Sequence, residues 1–198
     1  MNHEQYLFWS EDSSRFFASL ERNIKEEINS LSGLELKNSN DSLNIIFSSK
    51  YKIKPITLLE PYRDDGGEVP IDVSKDSMRM IIDRSKPFMI KGRRINVHIP
   101  FVGDKNLFDI KPSTITTVIP KAEVLEDKLI IIFDFLPDTV NSDSLNIEIK
   151  QKINLINKWT QFLNEDIESF NLKIPKIVET SLNFRREKLK KDKEILEG

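Results

Sequence analysis

The sequence predicts an α+β fold, in which an N-terminal helix precedes a mostly antiparallel sheet and long helices close the chain. Over residues 141–196, apolar side chains recur every three or four positions among polar and charged ones, as in an amphipathic helix. Over residues 43–136, short apolar runs alternate with Gly, Pro and Asp, which favours strands and turns. We therefore expect an α+β domain, residues 1–140, and a C-terminal helical region, residues 141–198, that packs on it and projects outward.

The first half of the chain contains one clear helix signal. Apolar residues at helical spacing predict a helix over residues 11–32, which Gly33 can end in a left-handed conformation. Residues 43–49 and 51–60 are predicted to be two short strands. The stretch 60–72 is rich in Gly, Pro and acidic residues, which is typical of a loop.

Two hairpins and the last helices complete the prediction. Residues 88–101 are expected to form a hairpin that turns at Gly92. Residues 121–135 are expected to form a second hairpin, and its strand Leu129–Phe133 is apolar on both faces, which indicates a central position. Pro175 should kink or restart the last region, so two long helices are predicted there.

Composition excludes several functional classes. The chain of 198 residues has no cysteine and two histidines, which excludes disulfides, thiolate zinc sites and cysteine nucleophiles. Acidic and basic residues number 32 and 30, a balance that argues against extensive nucleic-acid binding. We find neither a secretory signal nor an apolar run of membrane-spanning length. The sequence therefore predicts a cytoplasmic protein with no membrane association and no cofactor.

One pattern is typical of an enzyme. Asp138 follows a proline, and Glu148 and Lys150 follow ten and twelve residues later, which matches the signature of metal-dependent nucleases. There two carboxylates hold Mg²⁺, which activates water, and the lysine stabilises charge on the phosphate. This chemistry requires residues 145–150 to form a strand. However, Ile149 also fits the helical apolar pattern, and the Asn and Ser residues before it favour a helix start.

Two other polar features are candidate sites. Arg93 and Arg94 belong to a local basic patch that can contact phosphates, including those of nucleic acid, although the pattern favours a solvated turn that is polar for solubility. His98 alternates with apolar residues on a predicted strand. Its pattern favours an outward polar side chain over a catalytic base.

The C-terminal region carries the features that predict partner contact. Its apolar seam thins beyond residue 182 while charged residues increase, and an exposed seam is expected at this end of the chain. The seam residues predicted to contact a partner or a second copy are Ile177, Leu182, Leu189 and Leu196.

Two stretches also carry a resemblance to a known group of proteins. Residues 99–114 and 170–198 together resemble the N-terminal, non-catalytic region of bacterial multi-domain proteins of the anti-phage defence type. The resemblance covers about the second half of the chain. It implies a regulatory or sensing module whose helices lead into an effector, and it carries over no catalytic residue. A non-enzymatic sensing or protein-interaction module is therefore the first functional hypothesis, and the nuclease is the alternative.

Overall fold

The computed structural model describes residues 4–197 and shows the predicted α+β fold, with 48% helix and 23% strand. The helices are α1 (Ser13–Ser30), α2 (Asn40–Tyr51) and α3 (Ser142–Glu197). The strands are β1 (Gln5–Tyr6), β2 (Glu11–Asp12), β3 (Thr57–Leu58), β4 (Tyr62–Asp72), β5 (Met89–Val102), β6 (Ile110–Lys111), β7 (Lys121–Val124) and β8 (Lys128–Phe135). Two short 3₁₀ helices occupy Glu35–Lys37 and Lys105–Asp109.

Six strands form one antiparallel sheet. Its order is β1-β7-β8-β5-β3, and β4 also pairs with β5. As predicted, β7 and β8 form a hairpin, and β8 lies inside the sheet between β7 and β5. The two remaining strands, β2 and β6, form a separate parallel pair.

The chain divides into two compact units. Unit 1 holds the six-stranded sheet and comprises Met1–Phe8, Ile56–Phe108 and Thr116–Thr160. Unit 2 holds α1 and α2 and comprises Trp9–Pro55, Asp109–Ile115 and Gln161–Gly198. The boundary in α3 therefore falls between residues 160 and 161, whereas the sequence predicted a boundary at residue 140.

The core of unit 1 is apolar and rich in aromatic rings. Alternate residues of β5 and β8 are buried on one face of the sheet, as expected from the two-residue period of a strand. Trp159 is fully buried and stacks on Phe8, with ring centroids 5.9 Å apart. Its indole N–H donates to Thr116 Oγ1 at 2.9 Å and to the carbonyl of Val118 at 3.1 Å, so its buried polar atom is satisfied.

Unit 2 is a helical cluster. Its core consists of Ile24, Ile28, Leu36, Leu43, Phe47, Phe170, Ile174, Val178 and Leu182. Phe17 of α1 stacks on Phe170 of α3 at 4.8 Å. These residues lie at helical spacing in the sequence, and their shared burial explains why three helices fold together here.

Pro175 lies inside α3, which is assigned as a single helix. The prediction of two C-terminal helices is therefore wrong. Proline has no N–H to donate within the helix. Two asparagine side chains, one on α2 and one on α3, form hydrogen bonds in this region of the helical cluster. Asn44 donates to the carbonyl of Pro175 at 2.9 Å. Asn171 accepts the N–H of Ile53 at 3.0 Å and donates to its carbonyl at 2.8 Å.

The structure corrects three other predictions. Residues 43–49 lie in α2, not in a strand. Ser39 caps this helix by accepting the N–H of Ser42, and Leu43 and Phe47, four positions apart, are buried on one face. Residues 62–72 form strand β4, not a loop. Gly92 lies within β5, so the predicted turn at Gly92 is wrong; β5 instead pairs with β4 across a longer connection, residues 73–88.

Candidate functional site

The β4–β5 hairpin extends beyond the rest of the sheet. The two strands pair from Tyr62 opposite His98 to Asp72 opposite Met89. Pairing of β5 with β8 begins only at Arg93. From Gly92 back to Met89, β5 pairs with β4 and not with β8. The hairpin therefore carries its connection, residues 73–88, at the end of a two-stranded ribbon; we call residues 73–88 the hairpin tip.

A glycine bulge shapes β4 next to the ribbon. The register shifts between Asp65 and Gly67, and Gly67 has φ +82°, a conformation that a side chain strains. A Cβ at Gly66 would lie 2.4 Å from a side-chain carbon of Arg94. The two glycines, which suggested a loop in the sequence, are therefore what allows the strand to bend against β5.

One carboxylate closes the base of the hairpin tip. Asp72 accepts the backbone N–H of Ser74 at 2.9 Å and that of Phe88 at 3.0 Å. The N–H of Val73 also donates to the carbonyl of Phe88 at 2.9 Å. These hydrogen bonds, first among them the one from Ser74, hold the pKa of Asp72 below its usual value. Both ends of the tip are thus fixed to one side chain.

The interior of the hairpin tip is held by Arg84. Its guanidinium donates to the carbonyls of Ser74 at 3.2 Å, Asp76 at 2.9 Å and Arg79 at 2.7 Å. Asp76 in turn accepts the N–H of Met78 and the Nε–H of Arg79, each at 3.0 Å. Charge-assisted hydrogen bonds therefore hold the interior of the tip.

Three apolar side chains of the hairpin tip are exposed to solvent. Met78 is 93% exposed, Met80 103% and Ile82 105%. Large apolar side chains exposed together on one element mark contact sites. Four basic and three acidic residues occur over positions 72–88, so the surroundings are mixed in charge. This arrangement is suited to docking, and we take Met78, Met80 and Ile82 as the candidate functional site.

The residues of the nuclease signature do not take up its geometry. Glu148 and Lys150 lie in α3, which begins at Ser142, so they are two positions apart on a helix and face different directions. Between them Ile149 is fully buried. Glu148 pairs with Lys152 at 3.6 Å, and Asp138 lies exposed before the helix. The strand that the signature requires is not formed.

Metal binding gains no support from the rest of the chain. Within residues 4–197, no group of three or more His, Asp or Glu side chains is placed to hold a metal ion.

Both arginines of the predicted phosphate site are paired with carboxylates. Arg94 makes two hydrogen bonds to Asp134, at 2.6 and 2.7 Å, and this partner raises the pKa of Arg94. Arg93 pairs with Asp65 at 2.6 Å. A phosphate at this site would have to displace these carboxylates.

The predicted C-terminal seam is largely covered. Leu182 is fully buried in the helical cluster, and Ile177 and Leu189 are partly buried against that cluster. Only Leu196 is exposed, at 86%. The expectation of an exposed seam is therefore wrong for Leu182, because α1 and α2 supply the surface that covers it.

The pattern around His98 concealed a polar pair. His98 is buried, and its Nε2 lies 2.7 Å from Oδ2 of Asp64. Asp64 also accepts a hydrogen bond from Asn96 at 2.8 Å. The sequence prediction of an outward polar residue did not anticipate this pair, because Asp64 lies in the stretch taken as a loop.

Comparison with known proteins identifies no family for this chain: no family model, no curated protein and no solved structure matches it. Within its described part, no helix has an apolar stretch long enough to cross a bilayer.

Proposed function

We propose that this chain is a non-enzymatic protein-interaction module that docks on a protein partner through Met78, Met80 and Ile82 of the hairpin tip. The observation that carries the proposal is their complete exposure on a loop that Asp72 and Arg84 hold in place. Burying three such side chains contributes roughly 5–9 kcal/mol before the costs of association. That is sufficient for the anchor of an interface.

The chemistry of the hairpin tip favours a protein partner. Methionine is unbranched and adapts its shape to an apolar pocket. The surrounding charges are of both signs, as is typical of the polar rim of a protein interface. We do not propose the nuclease, because Glu148 and Lys150 lie on a helix.

The end of α3 supplies a second, smaller surface. Ile195 and Leu196 are both exposed, at 78% and 86%. We propose that self-association, or contact with an effector, uses this end of the helix in a cytoplasmic regulatory module of the bacterial defence type. Light scattering tests self-association. We expect the wild type to have a mass above that of one chain, and an Ile195→Ser, Leu196→Ser variant to have the mass of one chain. A mass of one chain for both proteins would contradict self-association.

The experiment that tests docking exploits the absence of cysteine. Met80→Cys introduces a unique thiol at the hairpin tip for a photo-crosslinker. Glu60→Cys, at an exposed position outside the tip, is the matched control. We expect a protein adduct from position 80 that position 60 does not give. The protein captured in this adduct must then bind the purified chain directly, without a crosslinker. Equal crosslinking from both positions would contradict the proposal.

A further inference from the structure

Strand β8 is longer than the strand beside it. β7 pairs with β8 only at Leu129 and Ile130, whereas β8 continues to Phe135. In an antiparallel ladder, the N–H and C=O of one residue face the same neighbour, and successive residues alternate. Since Ile130 pairs with β7, the backbone groups of Ile132 and Asp134 also face away from β5.

A side chain stands where a further strand would bind. The N–H of Ile132 donates to the Glu4 carboxylate at 2.8 Å. In a continuous sheet that N–H would donate to a backbone carbonyl of the next strand. The Glu4 carboxylate therefore takes the place of a neighbouring strand at Ile132. The backbone groups of Asp134 are the next ones along the same edge of β8.

A groove lies between the end of β8 and α3. Residues 132–135 of β8, Leu136 and the first turns of α3 line this cavity of about 390 Å³, and Ile71 of β4 closes its far side. Its helical side is formed by Leu145, Glu148 and Lys152. The Lys152 ammonium lies 4.2 Å from the centroid of the Phe133 ring and pairs with Glu148. The groove thus has a polar strand edge on one side and a helix on the other.

We propose that this groove binds an extended peptide segment of a protein partner, which adds as a strand to the edge of β8 at Ile132 and Asp134. Backbone hydrogen bonds supply affinity in this mode of recognition, and side chains that enter the groove supply specificity. The groove is lined by Phe133, Phe135 and Leu145, which favours an apolar side chain on the peptide. This site goes beyond docking through the hairpin tip, and the two proposals can fail separately.

The test starts from the intact chain. A displayed library of random ten-residue peptides is selected on the immobilised protein, and each enriched peptide is titrated by fluorescence anisotropy. Asp134→Pro is compared with Asp134→Ala. Both lose the ion pair with Arg94, but only proline lacks the N–H, and proline is tolerated in a strand where no ladder bond is lost. We expect binding to Asp134→Pro to be about threefold to tenfold weaker than to Asp134→Ala.

Glu4→Ala gives an independent readout. Removing the carboxylate frees the N–H of Ile132 for the peptide, so this variant should bind about threefold tighter than the wild type. If Asp134→Pro does not fold, amide exchange at Asp134 in the wild type replaces it and should slow at least about tenfold with bound peptide. The proposal would be overturned if no peptide is enriched, if the two Asp134 variants bind equally, or if amide exchange at Asp134 is unchanged. It would also be overturned if substitutions in the hairpin tip abolish peptide binding and the Asp134 and Glu4 variants do not change it.

Discussion

His98 Nε2 lies 2.7 Å from Asp64 Oδ2, so a buried imidazole on β5 is joined to a carboxylate on β4. Tyr62 stacks on the imidazole, with centroids 4.8 Å apart and an interplanar angle of 9°. The contact lies where the two strands of the hairpin first pair. It therefore joins β4 to β5 at the end of the hairpin opposite the tip.

Removing the carboxylate should destabilise the protein. Asp64→Ala leaves Nε2 of the buried His98 without its partner, which costs about 1–2 kcal/mol of the free energy of unfolding. Glu68→Ala is the control, because Glu68 forms an exposed ion pair with Lys91 that contributes about 0–1 kcal/mol. Urea unfolding at pH 7 measures both. A loss for Asp64→Ala no larger than for Glu68→Ala would show that the pair does not stabilise the hairpin.

The same carboxylate should make stability depend on pH. Hydrogen bonds from Asn96, and then from His98, lower the pKa of Asp64, and the charge of Lys128 adds to this. A carboxyl whose pKa is lowered by folding stabilises the native state at pH values above its pKa in the unfolded chain, about 3.9. This contribution is lost as the pH falls through the pKa in the native state.

Asp64→Asn should therefore differ from the wild type in unfolding free energy more at pH 6 than at pH 3. Glu60→Gln, at an exposed position, is the control for removal of one charge. An equal difference at both pH values would contradict a stabilising role for the ionised Asp64 carboxylate.

Asn171 should be more important than its polar side chain suggests. Its amide forms both hydrogen bonds to the backbone of Ile53, which connects α3 to the segment after α2. Asn171→Ala removes both partners and should cost about 1–3 kcal/mol of the free energy of unfolding. Asn157→Ala, at an exposed position of the same helix, should change the free energy of unfolding by less than about 0.5 kcal/mol, the usual range for exposed substitutions. Thermal unfolding of the two variants distinguishes them.

Arg84 should control the order of the hairpin tip without controlling global stability. Its guanidinium binds three carbonyls of the tip, and Arg84→Gln removes most of these bonds. We expect amide exchange across residues 74–84 to accelerate at least about tenfold. The melting temperature should change by less than about 3 °C. Unchanged exchange would mean that Asp72 and Asp76 alone hold the tip.

Parts of the fold with long or regular patterns could be predicted from sequence. α1, the β7–β8 hairpin and the helical character of residues 142–196 were predicted because their apolar spacing extends over many residues. α2 was missed because its apolar run is short, and Leu43 and Phe47 fit a strand as well as a helix. β4 was missed because glycine, proline and acidic residues are typical of loops, although an edge strand tolerates them.

The candidate site was not predictable from composition. A run of methionine and isoleucine, as at residues 78–82, usually indicates burial, and its exposure here follows from contacts made by Asp72 and Arg84. One local signal was present: an aspartate two residues before a serine, at Asp72 and at Asp83, favours turns in which the side chain accepts the serine N–H. That signal locates turns, but it does not show which apolar side chains they expose.

The most direct test of the central claim is the affinity of the crosslinked partner for the intact chain and for a Met78→Ser, Met80→Ser, Ile82→Ser variant. Its matched control is Leu34→Ser, Ile45→Ser, Ile46→Ser, which changes three exposed apolar residues of unit 2. Docking through the hairpin tip predicts an affinity at least about 100-fold lower for the tip variant, with the control unchanged. Equal affinity for the tip variant and the intact chain would contradict the proposed function.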